Sequence, residues 1–343
     1  MAPLNFKPKQ VTKRLLGSLS LRARDVMTSR YGLGNNLERM TLESIGQKYN
    51  ITRERVRQIE NHALTVIRKS KEFEKEKGTF DELESSLKGL GGIMVEEDLL
   101  NHLSKDKSVH NHLNFLLILG HAFKKQKEDD HFKHRWYIDD ELSEKVHTSL
   151  HKLYESLSDD DLISEADIIT SFLSHVKDVS EEYRKEEILK RWLALSKKIA
   201  KNPLGEWGVA HSPNIRAKGM RDYAFLVIRK HGSPIHFREV AARIEKLFNK
   251  KAHVATTHNE LIKDPRFVLV GRGLYALSEW GYLSGVVKDV IRKIIEKHGP
   301  LPKDKIIEKV LKERYVKENT IMVNLHNPKY FKKDKEGKYH VVA

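Results

Sequence analysis

The chain has no cysteine, which excludes disulfides and any thiolate-ligated metal site. It has no apolar run approaching the ~18 residues that a membrane span needs. Its N-terminus also lacks the apolar core of a signal peptide. These absences point to a cytoplasmic protein without a membrane partner. There is no P-loop, no nucleophile elbow and no pair of carboxylates in a Gly-rich setting. The run Val270-Gly271-Arg272-Gly273-Leu274-Tyr275 is too short for a dinucleotide fingerprint and reads as a hairpin turn. We therefore expect no enzyme, no catalytic residue and no small-molecule cofactor.

What is present is charge. The 343 residues are 39% hydrophobic and 32% charged, describing two or three ordinary domains, or more if they are small. The formal net charge of +15 is unevenly spread. Residues 1–77 hold 17 Lys and Arg against 8 Asp and Glu, residues 78–215 hold 18 against 26, and residues 216–343 hold 28 against 14. Basic ends suit phosphate neutralisation, while the acidic middle suits a spacer or a protein contact.

The most informative stretch is residues 41–60, TLESIGQKYNITRERVRQIE. Leu42, Ile45 and Tyr49 fall at helical spacing, as do Val56 and Ile59. Gly46 leaves room for a crossing helix, and Asn50 tolerates the left-handed backbone of a sharp helix end. Thr41 is placed to cap the first helix, aligning backbone N–H groups with a phosphate. Thr52 is placed to cap the second, which would carry Arg53, Glu54, Arg57 and Gln58 away from Val56 and Ile59. Arg suits guanine, Gln suits adenine and Glu accepts from cytosine in the major groove. Glu60 reads as an ion-pairing residue, and Arg55, Arg68 and Lys69 as contacts to phosphate or solvent.

Tyr31-Gly32-Leu33, then TLESIG, TRERVRQIE and Ala63-Leu64 resemble region 4 of the sigma-70 family. The resemblance covers about residues 8–72. It implies recognition of a promoter −35 element and docking on the β-flap of RNA polymerase, with double-stranded DNA and core polymerase as partners. It also implies that Arg53, Glu54, Arg57 and Gln58 match base- and backbone-contacting positions. Leu15, Leu16, Leu19, Leu21, Val26 and Met27 should be mostly core, with some of them touching the flap. A complete sigma factor needs a preceding domain that opens the −10 element, and only a few residues precede Leu15. The chain is therefore not expected to melt a promoter by itself.

Beyond a charged helix end and linker at 69–78, the pattern of helix, short strand, two helices and two strands recurs. We divide the chain into a helix-turn-helix at 1–77 and a winged helix at 78–140. An acidic winged helix or helical spacer follows at 141–215, then winged helices at 216–284 and 285–343. The fold class is mainly α, an N-terminal helix-turn-helix followed by a tandem array of small winged helices. In the 141–215 stretch, helices are expected at 142–157, 164–176 and 183–200. Residues 219–283 resemble the HARE-type helix-turn-helix, which includes a domain of the RNA polymerase delta subunit, through Gly232-Ser233-Pro234-Ile235-His236, Thr256 to Leu261, Phe267 and Gly273 to Leu277. Arg272 at that hairpin tip is a candidate DNA contact.

His110, His112, His121, His131 and His134 cluster loosely, but no convergent tetrahedral set supports zinc. The leading reading is a sigma-like transcription factor. One alternative is a delta-like polymerase accessory protein. Another is a DNA-recognition subunit of a restriction or defence system, which would need a catalytic partner.

Overall fold

The computed structural model describes residues 4–35, 37–176 and 178–342. The chain divides into two compact units, residues 1–200 with 207–210, and residues 201–206 with 211–343.

The first unit opens with helices α1 (Pro8–Leu16), α2 (Leu21–Tyr31), α3 (Leu42–Tyr49), α4 (Arg53–Arg68) and α5 (Lys71–Lys75). Local chemistry marks their ends. Pro8 occupies the first turn of α1, where its missing N–H costs nothing. The hydroxyls of Ser20, Thr41, Thr52 and Ser70 each accept a backbone N–H three residues on. Gly32 and Asn50 end α2 and α3 in the left-handed conformation, at φ 62° and 52°.

The chain then runs through α6 (Lys77–Gly89), β1 (Ile93–Val95), α7 (Glu96–Leu103), α8 (His110–Leu119), β2 (Lys124–Gln126) and β3 (Arg135–Tyr137). Next come α9 (Asp140–Glu155), α10 (Glu165–His175), α11 (Glu186–Leu193), β4 (Ile199–Lys201) and β5 (Trp207–Val209). The second unit contains α12 (Met220–His231), β6 (Ile235–His236), α13 (Phe237–Phe248), α14 (Val254–Lys263), β7 (Phe267–Gly271) and β8 (Leu274–Leu277). It closes with α15 (Val287–His298), β9 (Leu301–Pro302), α16 (Lys303–Glu313), α17 (Glu318–Leu325), β10 (Phe331–Lys333) and β11 (Lys338–Val341).

Strand order reveals the repeat. Three sheets have the orders β1-β3-β2, β6-β8-β7 and β9-β11-β10, so the strand between the first two helices pairs antiparallel with the last strand each time. In the remaining segment Ile163, just before α10, bridges Trp207 in β5, and β5 pairs with β4. The helix–strand–helix–helix–hairpin unit thus occurs three times among the described residues, a fourth segment follows the same order with a single bridge in place of the first strand, and the fold is mainly α with small winged-helix sheets.

Two expectations fail locally. Residues 69–78 form α5 and the start of α6 instead of a linker. Phe73 and Phe80 stack with ring centroids 4.7 Å apart, and Glu76 is buried, accepting from Arg14 Nε at 2.6 Å and from Thr79 Oγ1 at 3.0 Å. The charge alternation masked two aromatic anchors. The helix expected over 183–200 is interrupted, because the Ser196 hydroxyl accepts from the N–H groups of Lys198 and Ile199 and turns the chain into β4.

Core packing welds the early segments together. One apolar cluster runs from Val11, Leu15 and Met27 through Ile67, Leu83 and Leu99 to Phe115 and Trp136. The N-terminal helices and the first winged helix therefore share one core. Strand β1 serves two cores by alternation: Met94 faces this cluster, while Ile93 and Val95 face a second one built on α9, α10 and α11. At Gly91 (φ 113°) a Cβ would lie 2.7 Å from Ile188 Cγ2, and its carbonyl accepts from Trp192 Nε1 at 3.0 Å.

Candidate nucleic-acid interface

Helices α3 and α4 form the helix-turn-helix. Its small core joins Val26, Ile45 and Val56, with Leu42, Tyr49, Ile51 and Ile59 half-buried around them. Gly46 sits where the two helices meet. A Cβ there would lie 2.7 Å from the Ile51 carbonyl oxygen, so the tight turn depends on its absence. The Ile51 N–H donates to the Gly46 carbonyl at 2.9 Å, and the Thr52 hydroxyl accepts from the Arg55 N–H at 3.1 Å.

This frame turns Arg53, Glu54, Arg55, Arg57 and Gln58 outward on the first turns of α4. They are not idle in the unbound protein. Arg57 donates to both Glu54 oxygens, at 2.9 and 2.7 Å. That bidentate pair lowers the Glu54 carboxyl pKa and raises that of Arg57. Both side chains are exposed, so the pair adds little stability, but it presets the direction of the guanidinium. Arg55 Nη1 donates to Gln58 Oε1 at 3.0 Å. In the chain without DNA, Glu54 orients Arg57, and both stay on the exposed face of α4.

Glu60 does pair, though with α2 and not along its own helix. It accepts from Tyr31 Oη at 2.7 Å and Arg30 Nε at 3.3 Å. Burial and this hydrogen bond raise the Tyr31 pKa, keeping the phenol a donor. Thr41 caps α3 by accepting from the Ser44 N–H at 3.1 Å. Lys69 is exposed at the end of α4.

Arg68 departs from expectation. Its guanidinium donates to the carbonyl oxygens of Leu119 and Ile118, at 3.1 and 2.6 Å, and so caps the C-terminus of α8. It ties α4 to α8 of the first winged helix. Arg272 is exposed at the β7–β8 turn of the second unit and is described with that unit alone. The sequence reading missed Arg22 and His62. They line a cleft of about 240 Å³ with Arg55 and Gln58, between the start of α2 and α4. A basic residue one helix away from the motif was the available signal.

The loosely clustered histidines are dispersed into packing roles. His110 bonds the Ser104 carbonyl, His121 packs edge-on against Phe73, and His131 meets His151. Of the apolar positions before the motif, Leu15, Leu16, Leu19, Val26 and Met27 are buried, whereas Leu21 is 81% exposed.

The model of the family described as Sigma-70, region 4 matches residues 15–69. Residues 15–69 carry a sigma-70 region 4 domain. This region 4 domain is 54% identical over 56 residues to the RNA polymerase sigma factor SigA of Nostoc sp., covering 16% of this chain and 14% of that protein. SigA of Synechocystis sp. is 52% identical over 56 residues, with 16% and 13% covered. RpoD of Neisseria gonorrhoeae is 37% identical over 78 residues, with 23% and 12% covered. The chain thus spans about one-seventh of the length of the curated relatives it matches. No helix among the described residues is long and apolar enough to cross a membrane.

Proposed function

We propose that the chain is a DNA-binding transcription factor whose region 4 domain reads a −35-like promoter element and brings the protein to RNA polymerase at initiation. The observation that carries this reading is the exposed row Arg53, Glu54, Arg57 and Gln58 on a capped α4 within a region 4 domain. Arg57 and Gln58 supply the side-chain geometries that read guanine and adenine, and Arg22, Arg55 and His62 beside them supply phosphate contacts. The relatives named above are RNA polymerase sigma factors, which supports the same stage of transcription. Docking on the polymerase β-flap through the early apolar residues would use Leu21, because the other five are buried in the first unit. The winged helices, the third of them HARE-like, add further DNA or protein contacts in this cytoplasmic complex. We read the whole as a recognition protein and not an enzyme.

Genome-wide crosslinking of the full chain, compared with an Arg57→Ala/Gln58→Ala variant, tests the proposal. Enrichment at −35 positions that the variant loses is the expected result. Unchanged enrichment in the variant overturns base reading by α4. A delta-like accessory role is favoured by one observation, the exposed apolar side chains Ile262 and Leu269 in the third winged helix. It predicts broad polymerase-like coverage that survives the double substitution.

A further inference from the structure

An apolar recess of about 390 Å³ lies in the first unit, between the α5–α6 corner and the turn after α8. Phe80 and Phe123 line it at 9% and 8% exposure, Phe73 and Ala122 are half-buried, and His121 is exposed. Local chemistry fixes these rings. Ser70 Oγ accepts from the Phe73 N–H at 3.2 Å, and the buried Glu76 ties the corner to Arg14 and Thr79. Phe73 meets Phe80 at 4.7 Å and His121 edge-on at 5.7 Å. A Cβ at Gly120 would lie 2.5 Å from the Phe123 ring and 3.1 Å from that of Phe80, so glycine lets both rings lie against the turn. The recess is therefore formed in the unbound chain, and it has the size of a binding pocket.

The rim of the recess is acidic. Glu74, Asp81 and Glu84 are exposed there, against Lys77 as the one cation that lines it. None of the three carboxylates forms an ion pair with a described residue. Glu84 also lines a second cleft, of about 430 Å³, where Asp139, Glu141, Asp178 and Glu182 stand against Lys88 and Lys145. Lys145 takes up Glu141 at 2.6 Å, and Asp139 caps α9. Burial, then Glu182 and Asp139, raises the Tyr183 pKa, as a negative potential at that wall requires. Ile138, Leu142 and Tyr183 give this cleft apolar surface as well. Lys77, Asp81, Glu84 and Lys88 recur at steps of three and four, so one face of α6 serves both hollows.

We propose that this surface docks a basic amphipathic helix of a partner protein, with an apolar side chain seated among Phe73, Phe80 and Phe123 and Lys or Arg residues set against Glu74, Asp81 and Glu84. A helix laid in a groove is read through apolar anchors at helical spacing, and the charges beside them choose the partner. Charge complementarity fixes the occupant here. A duplex or an acidic chain would bring its negative charge against three unpaired carboxylates, whereas a basic helix would pair with them. The surface is an acidic exception on a chain of net charge +15. It is also distinct from base reading, since Arg53, Glu54, Arg57 and Gln58 line neither hollow.

Fluorescence anisotropy of the full chain with a synthetic helix of about four turns, leucine at i, i+3, i+4 and i+7 and lysine elsewhere, tests this. Saturable binding is expected, about tenfold tighter than that of the same peptide with glutamate for lysine or alanine for leucine. Asp81→Lys/Glu84→Lys should weaken it about tenfold. Glu155→Lys/Asp160→Lys makes the same charge change at exposed positions outside both hollows and should leave it unchanged. Ala122→Trp fills the recess, so binding should fall while the melting temperature holds. A photocrosslinking amino acid in place of Lys77 should, in the full chain in its own cells, join a protein segment that carries Lys or Arg around apolar residues. Crosslinks to DNA, to acidic segments or to a second copy of this chain overturn the proposal, as does the absence of any protein crosslink. So do a lack of saturable peptide binding, equal affinity for the glutamate peptide, and affinity indifferent to both Asp81→Lys/Glu84→Lys and Ala122→Trp.

Discussion

Arg68, on the last turn of α4, donates its Nε proton to the carbonyl oxygen of Leu119 at 3.1 Å, across 51 residues of chain. The last turn of α8 leaves its carbonyls without helical partners, and a guanidinium answers two of them at once. Helix α4 is thereby a structural part of the first winged helix.

Arg68→Ala should accordingly act on stability before it acts on DNA. The two carbonyls lose a charged donor, at a cost of about 1–3 kcal/mol. Hydrogen exchange should rise at the end of α8, while the salt dependence of DNA binding keeps its slope. A reduced slope with unchanged exchange would instead return Arg68 to the phosphate surface.

Substitution along the exposed face of α4 should change sequence preference. Arg57→Ala and Gln58→Ala should each cost about 1–3 kcal/mol on the preferred duplex and little on unrelated DNA. Fluorescence anisotropy on both duplexes measures the difference, and equal losses on the two would rule out base reading.

Glu54→Gln should behave differently, because Glu54 holds Arg57 through two hydrogen bonds. Without the carboxylate, Arg57 is freed to meet any phosphate. Non-specific affinity should rise while discrimination between duplexes falls. Competition binding against bulk DNA reads both, and a fall in non-specific affinity would show that the pair does not restrain Arg57.

Gly46→Ala should disable the motif without touching a contact residue. The added Cβ would lie 2.7 Å from the Ile51 oxygen, a backbone atom that cannot move aside alone. Such overpacking costs about 1–3 kcal/mol. Loss of specific binding, with increased exchange confined to α3 and the start of α4, is the expected pattern. Wild-type binding by Gly46→Ala would mean that the turn accommodates the methyl group.

Acid should loosen the first unit around Phe132. Burial, then Arg135, lowers His147 from 6.5 to about 4. Between those values the unfolded chain holds a proton that the folded one does not. Stability therefore falls as pH drops from 6.5 toward 4 and levels off below, at less than ~1.4 kcal/mol per unit because the ring is partly solvated. Burial raises the Asp129 pKa, but the His131 and Phe132 N–H groups and Arg135 outweigh it, leaving about 2. Its contribution is present above pH 3.8 and is lost as pH falls through about 2. Exchange of α9 between pH 7 and 5 checks the first window, and His147→Leu should flatten it.

Much of the candidate site was legible because its signals are local. Thr41, Thr52, Gly46 and Asn50 act within four residues of where they stand, and each does in the fold what its chemistry suggests. The recurring winged-helix order was legible for the same reason, since short strands and capped helices leave periodic marks. Arg68 and Glu60 were not legible in that way. Their partners, Leu119 and Tyr31, lie far along the chain, and nothing in a helical wheel distinguishes an arginine bound for phosphate from one bound for a carbonyl.

Sequence alone therefore determined the helix-turn-helix, its caps and the outward row from Arg53 to Gln58, because those depend on neighbours along the backbone. Only the tertiary structure decided that α4 shares a core with α8, that Arg68 caps α8, and that Glu60 finds its partners on α2. Those relationships arise from packing between segments distant in sequence, where a few ångströms separate a bonded group from an orphaned one.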